Sequence, residues 1–329
     1  MKKKNYPNLN DRAYKIVKKM IKVSEHIGVT VSRAQNGAAL IDAGIKTPGS
    51  PEAGRLFAEV CLGGTAEVSL GLSELGGASL PSVTVVVSDP VRGCMASQYA
   101  GWTIKTEGER PYFAMGSGPA RALYGAEEIF KTIGNTERTE KPQAAVLALE
   151  TRTYPPEDVL QYIAGRCGVE PEKLFVLLAP TASIAGCVQV AARIVETGLH
   201  KLHELGFDIK SVTAGWGTAP IAPVAANDGV AIGWTNDGIL YGGRTWYTAN
   251  CEDEEITKIL DKLPAGASSD YGTPFFDLLK RYEWDFYKID PMLFSPAEIC
   301  INNARSGRTY RAGAITPSIL KGWIGVDGF

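Results

Sequence analysis

Arg193 and Glu196 stand three residues apart in a stretch, Ser183 to Leu205, whose periodicity predicts one long helix. Projected at about 100° per residue, Ile184, Val188, Ala191, Val195, Leu199 and Leu202 form a stripe suited to a core, while Gln189, Arg193, Glu196 and His200 share the opposite side. Two readings of the pair stand at this point. On a solvated face it is an ion bridge worth a few tenths of a kcal/mol. On the wall of a cleft it is a carboxylate able to take a proton from water, beside a guanidinium that tunes its basicity. Arginine before glutamate is the less favourable order for stabilising a helix, and the small residues Ala182, Ala185, Gly186 and Ala192 leave room for a flat ligand. Both details favour the cleft.

A second candidate is Gly116-Ser117-Gly118-Pro119-Ala120-Arg121, which follows the apolar run Tyr112 to Met115 and precedes a helical pattern from Ala122 to Phe130. A glycine turn feeding a helix leaves backbone N–H groups free for an anion. The motif departs from a dinucleotide fingerprint at Arg121, where a third glycine belongs, and lacks the Lys-Ser or Lys-Thr pair of a nucleotide loop. Its alternatives are a phosphate- or nucleotide-using transferase site and a plain structural turn.

Other chemistries find little support. His200 and His203 fit a solvated helix end, no H-E-x-x-H or G-x-S-x-G motif occurs, and the six cysteines are separated by 19 or more residues. No metal site is expected. The cysteines read as buried thiols of a reducing compartment, and the polar stretch after Lys2, Lys3 and Lys4 does not continue as a signal peptide. A cytoplasmic, soluble protein is expected, without a membrane span. With 34 basic and 36 acidic side chains there is no basic excess to hold nucleic acid.

The elements that must hold these residues alternate. A helix is expected from about Asp11 to His26, then strands Val29 to Ala34 and Ala38 to Ala43 around the turn dipeptide Asn36-Gly37. Ser50-Pro51 opens a helix to about Leu62. Strands follow near Ala66 to Leu70 and Ser82 to Ser88. Beyond the polar stretch Gly134 to Gln143, strands Ala144 to Leu149 and Leu174 to Leu178 alternate with the helix Glu157 to Arg166. The echo Asn227-Asp228-Gly229 and Asn236-Asp237-Gly238 suggests two hairpin-like turns. The reading is an α/β protein of two domains, 1–138 and 139–329, the second carrying the Arg193–Glu196 helix.

Four blocks, Pro180 to Lys201, Gly116 to Ala122, Thr235 to Gly243 and Asp285 to Ala297, make the chain resemble the methenyltetrahydromethanopterin cyclohydrolase family over nearly its whole length. The resemblance implies two α/β domains with the substrate cleft between them, a homotrimer, and no metal or redox cofactor. It implies reversible hydrolysis of a methenyl to a formyl pterin in one-carbon metabolism, including methanogenesis. It also implies that an arginine and a glutamate three residues apart are the catalytic pair, which here are Arg193 and Glu196. Gly116, Ser117, Gly118, Arg121, Ser183 and Gln189 are the substrate-binding candidates. A pterin-binding protein without catalysis remains the non-enzymatic alternative.

Overall fold

The computed structural model describes residues 8–107, 111–134, 142–285 and 288–323. Helix α1 (Leu9–Lys22) is capped by the Asn8 side chain, which accepts from Asn10 N at 2.8 Å, and it buries Ala13, Val17 and Met20. The hairpin β1 (Thr30–Arg33) and β2 (Ala39–Asp42) turns at Gly37, whose φ of 90° is the backbone state the Asn-Gly dipeptide predicts. Ser50 Oγ accepts from Ala53 N at 3.0 Å and starts α2 (Pro51–Cys61). The next hairpin, β3 (Ala66–Leu75) and β4 (Ala78–Val87), is longer than its apolar runs suggest. Gly76 and Gly77 supply the two positive φ values of a tight turn, so pairing continues to the tip.

A π-helix, Val91–Gln98, follows and had no sequence signal. Strands β5 (Trp102–Thr106) and β6 (Tyr112–Ser117) lead to two short helices, α3 (Ala120–Tyr124) and α4 (Ile129–Ile133). The expected single helix is interrupted at Gly125, which caps α3 with φ 57°. After β7 (Ala145–Glu150), α5 (Glu157–Cys167) and β8 (Leu174–Ala179), the expected long helix is in fact two, α6 (Ile184–Ala191) and α7 (Ile194–Glu204). Strand β9 (Val212–Pro220) precedes α8 (Asp228–Gly242). Here the echo proves to be one helix, not two turns: Asn227 caps it and the second copy lies within it, where Gly233 and Gly242 sit against Phe276 and Pro220. Close packing overrides the turn preference of Asn-Asp-Gly. Strand β10 (Arg244–Ala249), short helices α9 (Asp253–Thr257) and α10 (Phe275–Arg281), and strands β11 (Glu298–Asn303) and β12 (Thr309–Gly313) complete the order.

The architecture is mixed α/β, as expected, built on two six-stranded sheets ordered β1-β2-β8-β7-β6-β5 and β12-β11-β10-β9-β4-β3. The first sheet is covered on both faces, by α1 and α2 around Ile41, Val146 and Leu177 and by α5 around Leu147 and Val176. The second packs one face on α7 and the π-helix, around Val85, Met95, Leu199 and Ile299. On its other face Trp216 and Trp246 are cross-strand partners and remain exposed. The expected boundary between 138 and 139 lies outside the described residues, and each sheet takes strands from either side of it. All six cysteines are free and buried. No described helix is long and apolar enough to cross a membrane.

Candidate functional site

The break between α6 and α7 creates the site. Ala192 caps the first helix and Arg193 is the N-cap of the second, so Glu196 lies in the first turn of α7, where the helix dipole favours a negative charge. The Ala192 carbonyl accepts from Gln98 Nε2 at 3.0 Å, and the Gln98 backbone carbonyl accepts from Arg193 Nη1 at 2.8 Å. Gln98, fully buried at the end of the π-helix, therefore clamps both the break and the guanidinium. Gln189 Oε1 lies 3.5 Å from Arg193 Nη2, at the outer limit of a hydrogen bond.

Neither Arg193 nor Glu196 sits on a solvated face: their side chains are 13% and 7% exposed, and Arg193 Nη1 lies 3.8 Å from Glu196 Oε2. At that separation the two attract without the short contact that would fix a hydrogen bond. Burial pushes the Glu196 carboxyl above its usual range, and the neighbouring guanidinium groups, Arg193 foremost and Arg121 further off, oppose the shift without cancelling it. A carboxylate raised in this way is a better proton acceptor near neutrality. His200 stacks on Tyr99 with ring centroids 5.1 Å apart, and burial raises the Tyr99 hydroxyl to about 12, so that phenol stays protonated.

A small cavity, partly open to solvent, lies beside the pair, lined by Phe57 of α2, Ala100, Met115 and Ser117 of β6, Ala148 and Glu150 of β7, Gln189 of α6, and Arg193. Arg193 forms part of its wall, whereas Glu196 is not among the lining residues and reaches it only through its 3.8 Å approach to the guanidinium. Two of the six substrate-binding candidates, Ser117 and Gln189, line this cavity. Ser117 Oγ donates to Gln98 O at 2.6 Å, so it shares its acceptor with Arg193. Ser183 instead caps α6, accepting from Gly186 N at 3.0 Å and donating to Pro180 O at 2.7 Å.

The glycine turn is bound into the structure. Gly118 has φ 100°, its N–H donates to Ser97 O at 2.8 Å, and the N–H groups of Arg121 and Ala122 close on Gly118 O and Pro119 O. Gly116 is held in β6 opposite Trp102. Arg121 is fully buried; it pairs with Glu127 and donates to Met95 O at 3.1 Å and Ser97 O at 3.0 Å. Its guanidinium thus holds the π-helix against α3. Gln98, Phe57 and Glu150 had no sequence signal, since a lone glutamine, phenylalanine or strand-end glutamate is common and only the fold brings them to Arg193. Among the described residues no three His, Cys, Asp or Glu side chains converge as metal ligands.

The sequence model of the family described as Cyclohydrolase (MCH) matches residues 8–322. Over 322 residues the chain is 43% identical to the methenyltetrahydromethanopterin cyclohydrolase of Methanocaldococcus jannaschii, covering 97% of this chain and 98% of that protein. It is 41% identical to the protein of the same name from Methanosarcina mazei, with the same coverage. The one from Methylobacterium organophilum is 40% identical over 317 residues, covering 96% of this chain and 97% of its own.

Proposed function

This chain belongs to the Cyclohydrolase (MCH) family of hydrolases, and on that premise we propose that it interconverts methenyl- and formyl-tetrahydromethanopterin, with Glu196 as base and proton shuttle and Arg193 as its partner. The observation that carries the residue assignment is the buried Arg193–Glu196 pair, whose arginine lines the cavity and whose glutamate, 3.8 Å from that guanidinium, has its proton affinity raised by burial. The substrate carbon is an amidinium cation and already electrophilic, so the reaction needs a positioned water, a base and a proton for the departing nitrogen. Water's oxygen bonds to that carbon as Glu196 takes one of its protons. Glu196 then gives the proton to the ring nitrogen whose bond to carbon breaks, and the formyl group stays on the other nitrogen. The remaining hydroxyl proton leaves as the carbonyl forms, so one proton is released per substrate cation.

Arg193, held by Gln98, keeps the carboxylate in place and limits how far burial raises it. Microscopic reversibility lets the same groups run ring closure. This reading requires neither a metal nor a redox cofactor, and it makes the pterin the small-molecule partner of a cytoplasmic homotrimer. Loss of the methenyl-pterin absorbance on adding purified protein, with a chelator present and no nucleotide, is the expected result. Absence of turnover under those conditions, or turnover only with ATP and a divalent ion, refutes the proposal. Binding without turnover would make the protein a pterin carrier.

A further inference from the structure

Glu150 closes the C-terminal end of β7 and is the one carboxylate among the residues that line the cavity. Thr181 Oγ1 donates to its Oε1, which fixes the plane of the group. Its Oε2 accepts no hydrogen bond among the described residues, and no cation pairs with it there. A carboxylate oriented on one side and open on the other, in a pocket that also holds Arg193, lacks a donor pair. We infer that Glu150 reads the pterin ring itself, its two oxygens accepting from the ring N–H and the exocyclic amino group that lie side by side on the 2-amino-4-oxopyrimidine edge. The inference rests on the pterin reading above and names the residue that recognises the heterocycle.

The strand register sets the distance between the two ends of the substrate. Ser117 is opposite Ala148, and Met115 is opposite Glu150. The Ser117 rung abuts the reaction end, because Ser117 Oγ and Arg193 Nη1 share the Gln98 carbonyl. Glu150 lies two residues further along β7, roughly 7 Å of strand rise, the scale of a fused two-ring system. Phe57, Met115 and Ala148 supply apolar surface beside it, suited to the faces of a flat ring. A carboxylate accepts both donors in parallel, as it does from a guanidinium, and such charge-assisted pairs are stronger than neutral ones. Glutamine at the same position offers one acceptor and one donor, so it meets one of the two N–H groups with another N–H.

The test compares the protein with Glu150→Gln, whose side-chain oxygen can still accept from Thr181. The probe is 6-methyltetrahydropterin, a neutral fragment without the one-carbon unit, measured by titration calorimetry. The variant should bind it about 10- to 100-fold more weakly, and the KM for methenyltetrahydromethanopterin should rise by a similar factor with a smaller change in kcat. An N3-methylated fragment, which lacks one donor, should bind both proteins equally weakly. Equal affinity of both proteins for the unmodified fragment overturns the inference. If Glu150→Gln fails to fold, Thr181→Val, which frees the carboxylate's orientation, should weaken fragment binding in the same direction, and unchanged affinity there also overturns it. Glu150-dependent fragment binding without methenyl turnover by the wild type removes the proposed reaction and leaves this inference standing. Turnover by the wild type with unaltered fragment affinity in the variant does the reverse.

Discussion

Glu196→Gln separates chemistry from architecture at the helix break. The amide keeps the volume of a side chain that is 7% exposed, so packing against α7's neighbours is retained. Arg193 loses its counter-charge but keeps the Gln98 carbonyl at 2.8 Å, and the neutral amide relieves the burial that raises the glutamate's proton affinity. These two terms oppose each other, so stability should change by no more than about 1 to 2 kcal/mol. The amide cannot accept a proton at neutral pH, and removing a general base costs about 100- to 10,000-fold in turnover, or roughly 3 to 5 kcal/mol of barrier. The assay is the decay of methenyl-pterin absorbance under saturating substrate, with circular dichroism to confirm the fold and KM to confirm binding. In the wild type the acid limb of kcat/KM should lie above the ordinary carboxylate range, because a base with a raised pKa loses activity as pH falls through that higher value. Glu196→Gln should flatten that limb. A folded variant with near-normal kcat, or an unchanged pH profile in what activity remains, would refute the assignment.

Arg121→Met should reduce stability by about 3 to 5 kcal/mol, because it strands the Glu127 carboxylate and the Met95 and Ser97 carbonyls; denaturant unfolding measures this, and a stable variant with a raised KM would return Arg121 to the substrate. Asp237 is 2% exposed and burial raises its carboxyl from 3.8 to about 7, with Phe275 N–H opposing at 2.8 Å. The folded state therefore holds this proton after the unfolded chain has lost it, so the wild type loses stability as pH rises from about 4 to about 7. Asp237→Asn should gain relative to it by up to about 4 kcal/mol between pH 4 and pH 8, and a difference independent of pH would contradict the argument. Light scattering should give a mass near three times 35.3 kDa; the exposed Trp216–Trp246 pair supports self-association, and a monomer at micromolar concentration would refute the trimer while leaving the chemistry untouched.

Local signals were legible at two places where a side chain or a turn dipeptide acts on its own backbone, although Asn227, which caps α8, reads as a turn in the sequence. Ser50-Pro51 fixed the start of α2, and Asn36-Gly37 fixed the first hairpin turn. The break at Ala192-Arg193 was not legible, because alanine and arginine are strong helix formers and no glycine or proline marks the site. What accompanies the interruption is a distant amide, Gln98, on the carbonyl of Ala192. For the same reason the π-helix stayed hidden, and with it the clamp on Arg193. The residues of the pair were readable from their types and spacing, but their burial was not, since the stripe Ile184 to Leu202 describes one core contact and the structure surrounds α7 on more sides than that. Glu150 stands at the end of an apolar strand, where a sequence gives no reason to choose between solvent and a pocket.

The way the two sheets share the chain also governs how it must fold. Asp42 on β2 pairs with Leu178 on β8, and Val87 on β4 pairs with Gly215 on β9. Each sheet thus waits for strands made much later, and long loops close before their contacts can repay the lost entropy. During synthesis at about 5 to 20 residues per second, β4 would emerge on the order of ten seconds before β9, its free edge open to wrong partners. Cleavage between Gly134 and Pro142 would leave neither fragment with a complete sheet. Since β7, the helix break and α7 all follow that point while Phe57, Gln98 and Ser117 precede it, the cavity forms only when the late strands have been threaded between the early ones.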